Sequence, residues 1–488
     1  MRVVFIASEC VPFSKTGGLA DVVGALPPAL SAQGHQVEVF VPRYRMTKPG
    51  RPLPEASSVT IPLGPRFKFA SIQDGGKAKG VSYYLVEMPE YFDRDGLYQT
   101  KDGQDYPDNP ERFSAFCLAT LEYLKRSATP PDVLHCHDWQ TSLAPVYWRT
   151  FYRDDPCLKN ASVVLTIHNL GYPGLFPPDV LPAIGIPQSL FNMDHLEFFD
   201  KVNLLKGGIV FADFITTVSR KYAEEIKTKE FGFGLEGVLE KRGNRLQGIL
   251  NGVDYEAWDP ANDKLIAKTY SPLDLSGKTA CKKALLEKMS AKNPRLDRPV
   301  IGIVSRFATQ KGFDLIAGIA EQLMVMDLYI AALGTGEPKY EALFRSLAER
   351  FPDHFLVKVA YDNELAHQIE AGADIFLMPS RYEPCGLNQI YSLKYGTVPV
   401  VRATGGLDDT IQNFNGVSGT GFKFQDYSAV ELLDTLRRAL KTYHEPAAWR
   451  RLMLEGMSKD YSWASSAAEY ARIYQRLRQE RSRTLAAS

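Results

Sequence analysis

Short runs rich in Val, Ile and Phe alternate with longer amphipathic stretches along the chain, and this alternation limits the fold more than any other feature. In the first half the runs are 2–8, 36–41, 82–87, 132–136, 163–167, 214–218 and 246–250; in the second they are 300–305, 328–333, 374–378 and 398–401. Several are apolar almost throughout, the pattern of strands buried on both faces of a parallel sheet. Strand–helix alternation in both halves predicts an α/β protein with two doubly wound, Rossmann-like domains. The length of 488 residues agrees, because one ordinary core does not grow that large.

The boundary is expected near Asn251-Gly252-Val253-Asp254, ahead of the turn cluster at 258–263. That gives domains at 1–250 and 251–461. The Arg-rich segment 462–488 has a helical pattern and no strand to pair with, so it is expected to pack back on the first domain. Residues 49–57, rich in Pro, and 72–80, with Gly and Lys, read as surface loops. No internal repeat is evident.

Lys plus Arg equals Asp plus Glu at 57 each. A neutral chain argues against general binding to nucleic acid or anionic lipid, which needs a basic surface. It permits a neutral partner such as a polysaccharide. The six cysteines form no CxxC pair and read as reduced thiols. No apolar stretch reaches the roughly 18 residues of a membrane span, and the first residues do not read as a signal peptide. A cytoplasmic protein is expected.

Ligands of open α/β sheets bind beyond the carboxyl ends of the strands, so informative residues should follow strands. After the first run come Lys15-Thr16-Gly17-Gly18 and then a helical stretch. Paired glycines let backbone approach a ligand and offer N–H donors at a helix N-terminus, and Lys15 adds a charge. A lone Gly-Gly pair is more often a structural turn than a ligand cradle. The loop is neither a Walker A sequence nor GxGxxG, which weighs against ATP hydrolysis and hydride transfer.

Arg306 and Lys311 lie five apart in the loop after 300–304, where both heads could meet one diphosphate and stabilise charge on a leaving group. Gly334-Thr335-Gly336 follows 328–333. Glu383 follows 374–378, where a carboxylate can accept sugar hydroxyls or balance an oxocarbenium charge. Thr404-Gly405-Gly406 after 398–401 is another glycine-rich loop. His135, His137 and Asp138 follow 132–134, and His168-Asn169 follows 163–167. Three metal-capable side chains so close raise zinc, but no further ligand cluster accompanies them. Polar contacts to sugar hydroxyls, with Trp139 packing nearby, fit better. Asp93-Arg94-Asp95 matches DxD, a pair that holds a metal in metal-dependent glycosyltransferases of another fold, and is read here as a loop. No metal is expected. Cys385 lacks the visible partner that a nucleophile needs.

The segment Lys15-Thr16-Gly17-Gly18-Leu19-Ala20-Asp21-Val22 resembles the KTGGLADV signature of bacterial glycogen synthases and plant starch synthases. Ser305–Gly312 is similar to that family's SRLTxQKG motif, with Phe307 and Ala308 departing from its Leu-Thr. The run from Arg381 to Gln389 resembles its acceptor-facing Glu loop, and Tyr391 stands where many other retaining transferases have a second Glu. The runs 200–208, 234–237 and 251–254 agree as well. The resemblance implies a GT-B fold with a deep interdomain cleft. It further implies transfer of glucose from ADP-glucose to the non-reducing end of an α-1,4-glucan with retention. The sequence shows no convincing nucleophile, which favours a front-face route over double displacement.

By the same resemblance, Glu383, Arg306, Lys311, His168 and Asp138 serve catalysis. Lys15, Gly17, Gly18, Asn251, Gly334, Tyr361, Cys385, Gly386, Leu387, Thr404, Gly405 and Gly406 hold the donor, with Tyr361 stacking on the base. Tyr98, Asp21 and Asp138 face the acceptor. Adenine rests on the resemblance alone. The rival readings are a sucrose synthase-like or UDP-glucose-using enzyme of the same fold, a glucan-binding scaffold without catalysis, and a Rossmann oxidoreductase. The position of KTGGLADV near residue 15, the joint presence of Lys15, Arg306, Lys311 and Glu383, and the missing GxGxxG weigh against them in turn.

Overall fold

The computed structural model describes residues 1–53 and 57–487. The chain divides into two compact units: 1–218, 223–252 and 463–488 form one, and 219–222 with 253–462 form the other.

The first unit carries a ten-stranded sheet. Its parallel part runs, in spatial order, Leu246–Gly248, Phe214–Thr217, Ser162–Ile167, Val133–His137, Arg2–Ile6, Gln36–Pro42 and Val81–Glu87. Arg2–Ile6 and Val133–His137 are buried at every position, which is why they read as unbroken apolar runs.

Beyond Val81–Glu87 the sheet becomes antiparallel. Strand Arg66–Ala78 joins it, with Ser58–Leu63 and Arg51–Pro52 paired to that strand in turn. This corrects the expectation of surface loops at 49–57 and 72–80. Residues 72–78 complete the strand, and Lys79-Gly80, both at positive φ, make the tight hairpin turn. The Gly75-Gly76 pair that reads as a loop is a β-bulge, with Gly76 at φ +95°. Within 49–57, Arg51–Pro52 is a short edge strand, while Pro54, Glu55 and Ala56 lie outside the described residues.

Helix Gly18–Ala32 presses Val22, Val23, Leu26 and Leu30 onto the sheet. The C-terminal helix Trp463–Ala487 joins the same core through Trp463, Tyr470, Tyr474 and Leu477. The Tyr474 hydroxyl meets His135 Nδ1 at 2.8 Å, so the last helix of the chain is part of the first unit's interior.

The second unit has six parallel strands in the order Phe355–Val359, Tyr329–Gly334, Val300–Val304, Ile375–Met378, Val398–Arg402 and Phe422–Phe424. The two outermost strands lie outside the runs listed from sequence.

Both strand orders contain a reversal. In the second unit successive strands add on one side of Val300–Val304 and then on the other, beginning with Ile375–Met378. In the first, Arg2–Ile6 has Gln36–Pro42 on one side and Val133–His137 on the other. The loops leaving the carboxyl ends part at each reversal and leave a crevice.

Candidate active site

At the first unit's reversal, the loop after Arg2–Ile6 is organised by Glu9, a residue that sequence reasoning missed. Its nearly buried carboxylate accepts from Thr16 N, from Thr16 Oγ1 at 2.7 Å, from Gly17 N at 3.3 Å and from Tyr98 OH at 2.5 Å. The N–H groups of Thr16 and Gly17 are therefore committed to a carboxylate of the chain itself. This corrects the picture of an open anion cradle: the Gly17–Gly18 turn is a fixed mount for Lys15. Space beside both glycines is free.

Lys15 is well exposed and pairs with Asp21 at 2.6 Å. Burial raises the Asp21 carboxyl against the pull of Lys15. Tyr98 is brought to this same loop, bonded also to Ser8 Oγ at 2.8 Å, and burial holds its phenol well above the usual range.

The loop after Val133–His137 supplies the opposite wall. Asp138 sits at φ +56°, a conformation that costs energy and persists where the surroundings fix it. Its carboxylate accepts from His168 N at 2.7 Å. Burial, partly countered by the His168 and Asn169 N–H groups and assisted by the charge of Glu9, raises it to about 7. His137 Nδ1 and His168 Nε2 meet at 3.0 Å, and the His135 ring lies tilted against His137 at 4.3 Å between ring centres. Burial holds His168 and His135 down at about 3, so these rings are neutral at ordinary pH. His137 Nε2 is buried with no partner among the described residues. Trp139 is locked by Gly174, where a Cβ would lie 2.8 Å from the indole. Asn251, in the same unit and 5% exposed, leaves its Oδ1 without a partner among the described residues.

At the second unit's reversal, Lys311 from the loop after Val300–Val304 meets Glu383 from the loop after Ile375–Met378. Lys311 Nζ donates to both carboxylate oxygens at 2.9 and 2.7 Å, and Ser380 Oγ donates to Glu383 at 2.9 Å. Glu383 is nearly buried and Arg306 is exposed. Gly312, at φ +74°, lies where any Cβ would strike Pro379 O, so the two loops touch only because that position is glycine.

The glycine loops of this unit serve packing. A Cβ at Gly405 would meet Glu383 O, and one at Gly406 would meet Cys385 O. The Gly406 N–H already donates to Glu383 O at 3.1 Å and Pro384 O at 3.2 Å. Gly406 is thus a spacer that seats the Glu383 loop, and its N–H is not free for an anion. Thr404 stands at the N-cap position of the short helix Gly405–Thr410, without a side-chain capping bond, and is buried. Gly334 rests against Ser305 O and the Phe307 ring. Gly386, at φ +69°, turns the chain toward helix Asn388–Lys394, and Leu387 packs half-buried beside Val253. Cys385 is buried. Tyr361 is 79% exposed at the carboxyl end of Phe355–Val359, so it is available to stack on a flat ring and is not a core residue.

Asp93 and Asp95 both hold Arg45, at 2.8 and 2.5 Å, so the DxD pair faces a guanidinium. Among the described residues no group of three His, Cys, Asp or Glu side chains is arranged to hold a metal ion, and no helix is long and apolar enough to cross a membrane.

Comparison with known proteins follows the same two-unit division. Residues 2–241 match the starch synthase catalytic domain family and residues 286–451 match glycosyl transferases group 1. The chain is 54% identical to the glycogen synthase of Koribacter versatilis (strain Ellin345) over 483 residues, covering 99% of each chain. It is similar to the solved catalytic domain of starch synthase IV from Arabidopsis thaliana bound to ADP and acarbose, with TM-score 0.89 and 33% identity over 98% of this chain and 99% of that one. The sucrose-phosphate synthase from Thermosynechococcus elongatus shares the fold, with TM-score 0.61, 17% identity and full coverage of both chains.

Proposed function

The chain belongs to the family of bacterial glycogen synthases and starch synthases, glycosyltransferases of GT-B fold, and from that premise we propose that it transfers glucose from ADP-glucose to the non-reducing end of an α-1,4-glucan with retention of configuration. The observation that carries the reading is the Ser380–Glu383–Lys311 contact at the second unit's strand reversal. It supports a donor site because a lysine fixed there can meet a diphosphate, and an acid fixed beside it can meet the sugar.

In the proposed step the bond from glucose C1 to the phosphate oxygen breaks, and its electron pair leaves with ADP. A bond forms from C1 to the acceptor's 4-hydroxyl oxygen on the same face. The hydroxyl proton passes to the departing phosphate oxygen. Lys311 and Arg306 stabilise the charge that grows on the leaving diphosphate. Glu383 balances positive charge at C1. Tyr361 stacks on adenine. Lys15, on the loop that Glu9 fixes and paired with Asp21, is assigned to donor binding. His168 and Asp138 meet the glucose hydroxyls, and the neutral imidazole suits hydrogen bonding to an uncharged sugar.

No metal is assigned a part. The six unpaired, buried cysteines suit a reducing compartment such as the cytoplasm.

The test is incorporation of labelled glucose into glycogen from ADP-glucose and from UDP-glucose, each with and without EDTA. The expected result is faster incorporation from ADP-glucose, insensitive to EDTA. Loss of activity with EDTA would overturn the metal-free step, and equal or faster use of UDP-glucose would overturn the choice of base.

A further inference from the structure

The first unit has a second concavity, at the opposite ends of its strands from Asp138. It lies where Ser162–Ile167, Phe214–Thr217 and Leu246–Gly248 begin, and it measures about 400 Å³, within the usual range of small-molecule sites. Strand Ser162–Ile167 runs from it to His168, roughly 20 Å away at the usual rise per residue.

Four arginines line it: Arg149, Arg242, Arg245 and Arg481. Two carboxylates, Asp213 and Glu480, stand among them, so the lining carries four positive and two negative charges, a net +2. Arg149 and Arg481 share Asp213 at 2.9 and 3.2 Å. Arg245 meets Glu480 at 2.7 Å, and Glu480 is shared with Arg476 at 3.0 Å.

Arg242 hydrogen-bonds no carboxylate among the described residues, although the charge of Asp213 acts on it. Its guanidinium donates to carbonyl oxygens, Ala212 at 2.7 Å and Val210 and Asp213 at 3.4 Å, and its Nε is buried without a partner. Burial lowers its pKa, opposed by the charge of Asp213 and assisted by the neighbouring Arg245 and Arg149. The guanidinium groups of Arg149 and Arg481 lie 4.6 and 5.2 Å from the ring of Trp148, which is buried and fixes both. Preorganised guanidinium forks suit phosphate oxygens, which they bind in pairs.

We propose that this cavity is a second ligand site, separate from the donor site, and that it binds a small phosphorylated anion. Arg242 and Arg245 take phosphate oxygens directly, while Arg149 and Arg481 supply the surrounding positive field. The concave shape and the neutral charge of the whole chain favour a small ligand over a polynucleotide or a membrane surface, which would need an extended basic face.

The test is calorimetric titration of the full chain with inorganic pyrophosphate, in wild type and in Lys311→Gln, whose donor site is impaired and in which the second site should persist, with sodium sulfate at matched ionic strength as a control. Pyrophosphate is expected to bind at one site and sulfate at least tenfold more weakly. The double variant Arg242→Gln/Arg245→Gln is expected to bind pyrophosphate at least about tenfold more weakly than wild type, the order set by losing charge-assisted hydrogen bonds. Arg245→Gln alone serves should the double variant fail to fold. Absence of binding by wild type, unchanged affinity in the variants, or equal affinity for sulfate would each overturn the proposal. Glucose transfer is measured in parallel, so a failure here is distinguishable from a failure of the glucosyltransferase reading.

Discussion

Glu9 shows how one acid can set the chemistry of another residue's loop. Its carboxylate receives four donors from Thr16, Gly17 and Tyr98. In Glu9→Gln the new amide donates where these groups also donate, so part of the set is lost. Hydrogen bonds to a charged group contribute about 1.5–3 kcal/mol. The expected outcome is a fall in kcat/KM for ADP-glucose of about tenfold or more, with the glucan KM little changed. Steady-state kinetics with each substrate varied in turn checks this. Lys15 and Glu383 were legible from their positions after strands, but Glu9 was not: its partners lie seven, eight and 89 residues away, and no local pattern marks them. Asp138 gives a second prediction at this scale. Its carboxyl is raised to about 7, so its contribution to stability is full below the ordinary carboxylate pKa and is lost as pH rises through about 7. Asp138→Asn keeps an acceptor for His168 N and cannot ionise. The variant should therefore gain stability relative to wild type as pH rises from about 4 to 8, read from urea midpoints at each pH. The neighbouring rings act oppositely. With His135 and His168 held near 3, their contribution is present above the ordinary histidine value and fades as pH falls toward 3.

Among the elements, the hairpin between strands Glu197–Phe198 and Lys201–Asn203 carries visible strain. Its two turn residues, Phe199 and Asp200, have φ of +49° and +61°. Asp tolerates this region, but a bulky side chain does not, and Phe199 is 77% exposed, so little burial offsets the cost. Phe199→Asn is expected to raise stability by about 1 kcal/mol; an unchanged or lower urea midpoint would contradict it. The interlocked loops of the second unit give the converse case. In Gly406→Ala the new Cβ would strike the backbone of Cys385, forcing the Glu383 loop aside. Activity should fall at least about a hundredfold, while the circular dichroism spectrum stays close to wild type because the clash is local. The elements themselves were unequally legible. Val300–Val304 and Ser162–Ile167 are buried on both faces and read directly as apolar runs. Ser58–Leu63 alternates exposed and buried, and its neighbour Arg66–Ala78 holds two bulge glycines, so polar composition there mimics a loop. Phe355–Val359 and Phe422–Phe424 are edge strands, short and half-covered, with weaker apolar signal.

At the scale of the whole molecule the two units have different claims to independence. The second is nearly one stretch of chain, 253–462, joined only by 219–222. Its six strands pair with one another, and its cores draw on residues from 253 to 461. The first unit is split: 1–218 and 223–252 surround a core that also needs 463–488. Removing that helix would strip Trp463, Tyr470, Ile473, Tyr474 and Leu477 from the sheet and leave His135 without its tyrosine. Large aromatic-to-Ala changes in cores already cost about 3–5 kcal/mol each, and a typical domain has only about 5–15 kcal/mol to lose. A fragment of residues 1–252 is therefore expected to be insoluble or unfolded. A fragment of residues 253–462 is expected to unfold cooperatively in urea. It retains Arg306, Lys311, Tyr361 and Glu383, and should bind ADP. It lacks Ser219, whose hydroxyl donates to Pro384 O at 2.7 Å, and Lys221, whose N–H donates to Asp409 at 2.9 Å. Both bonds steady the segment around Glu383, so ADP should bind several-fold more weakly than to the full chain, at about 1 kcal/mol for a typical hydrogen bond. Calorimetry on the fragment and the full chain decides it. A soluble, cooperatively folded 1–252 fragment would overturn the assignment of the C-terminal helix to the first unit's core, and a 253–462 fragment that folds without binding ADP would overturn the placement of the donor residues in the second unit.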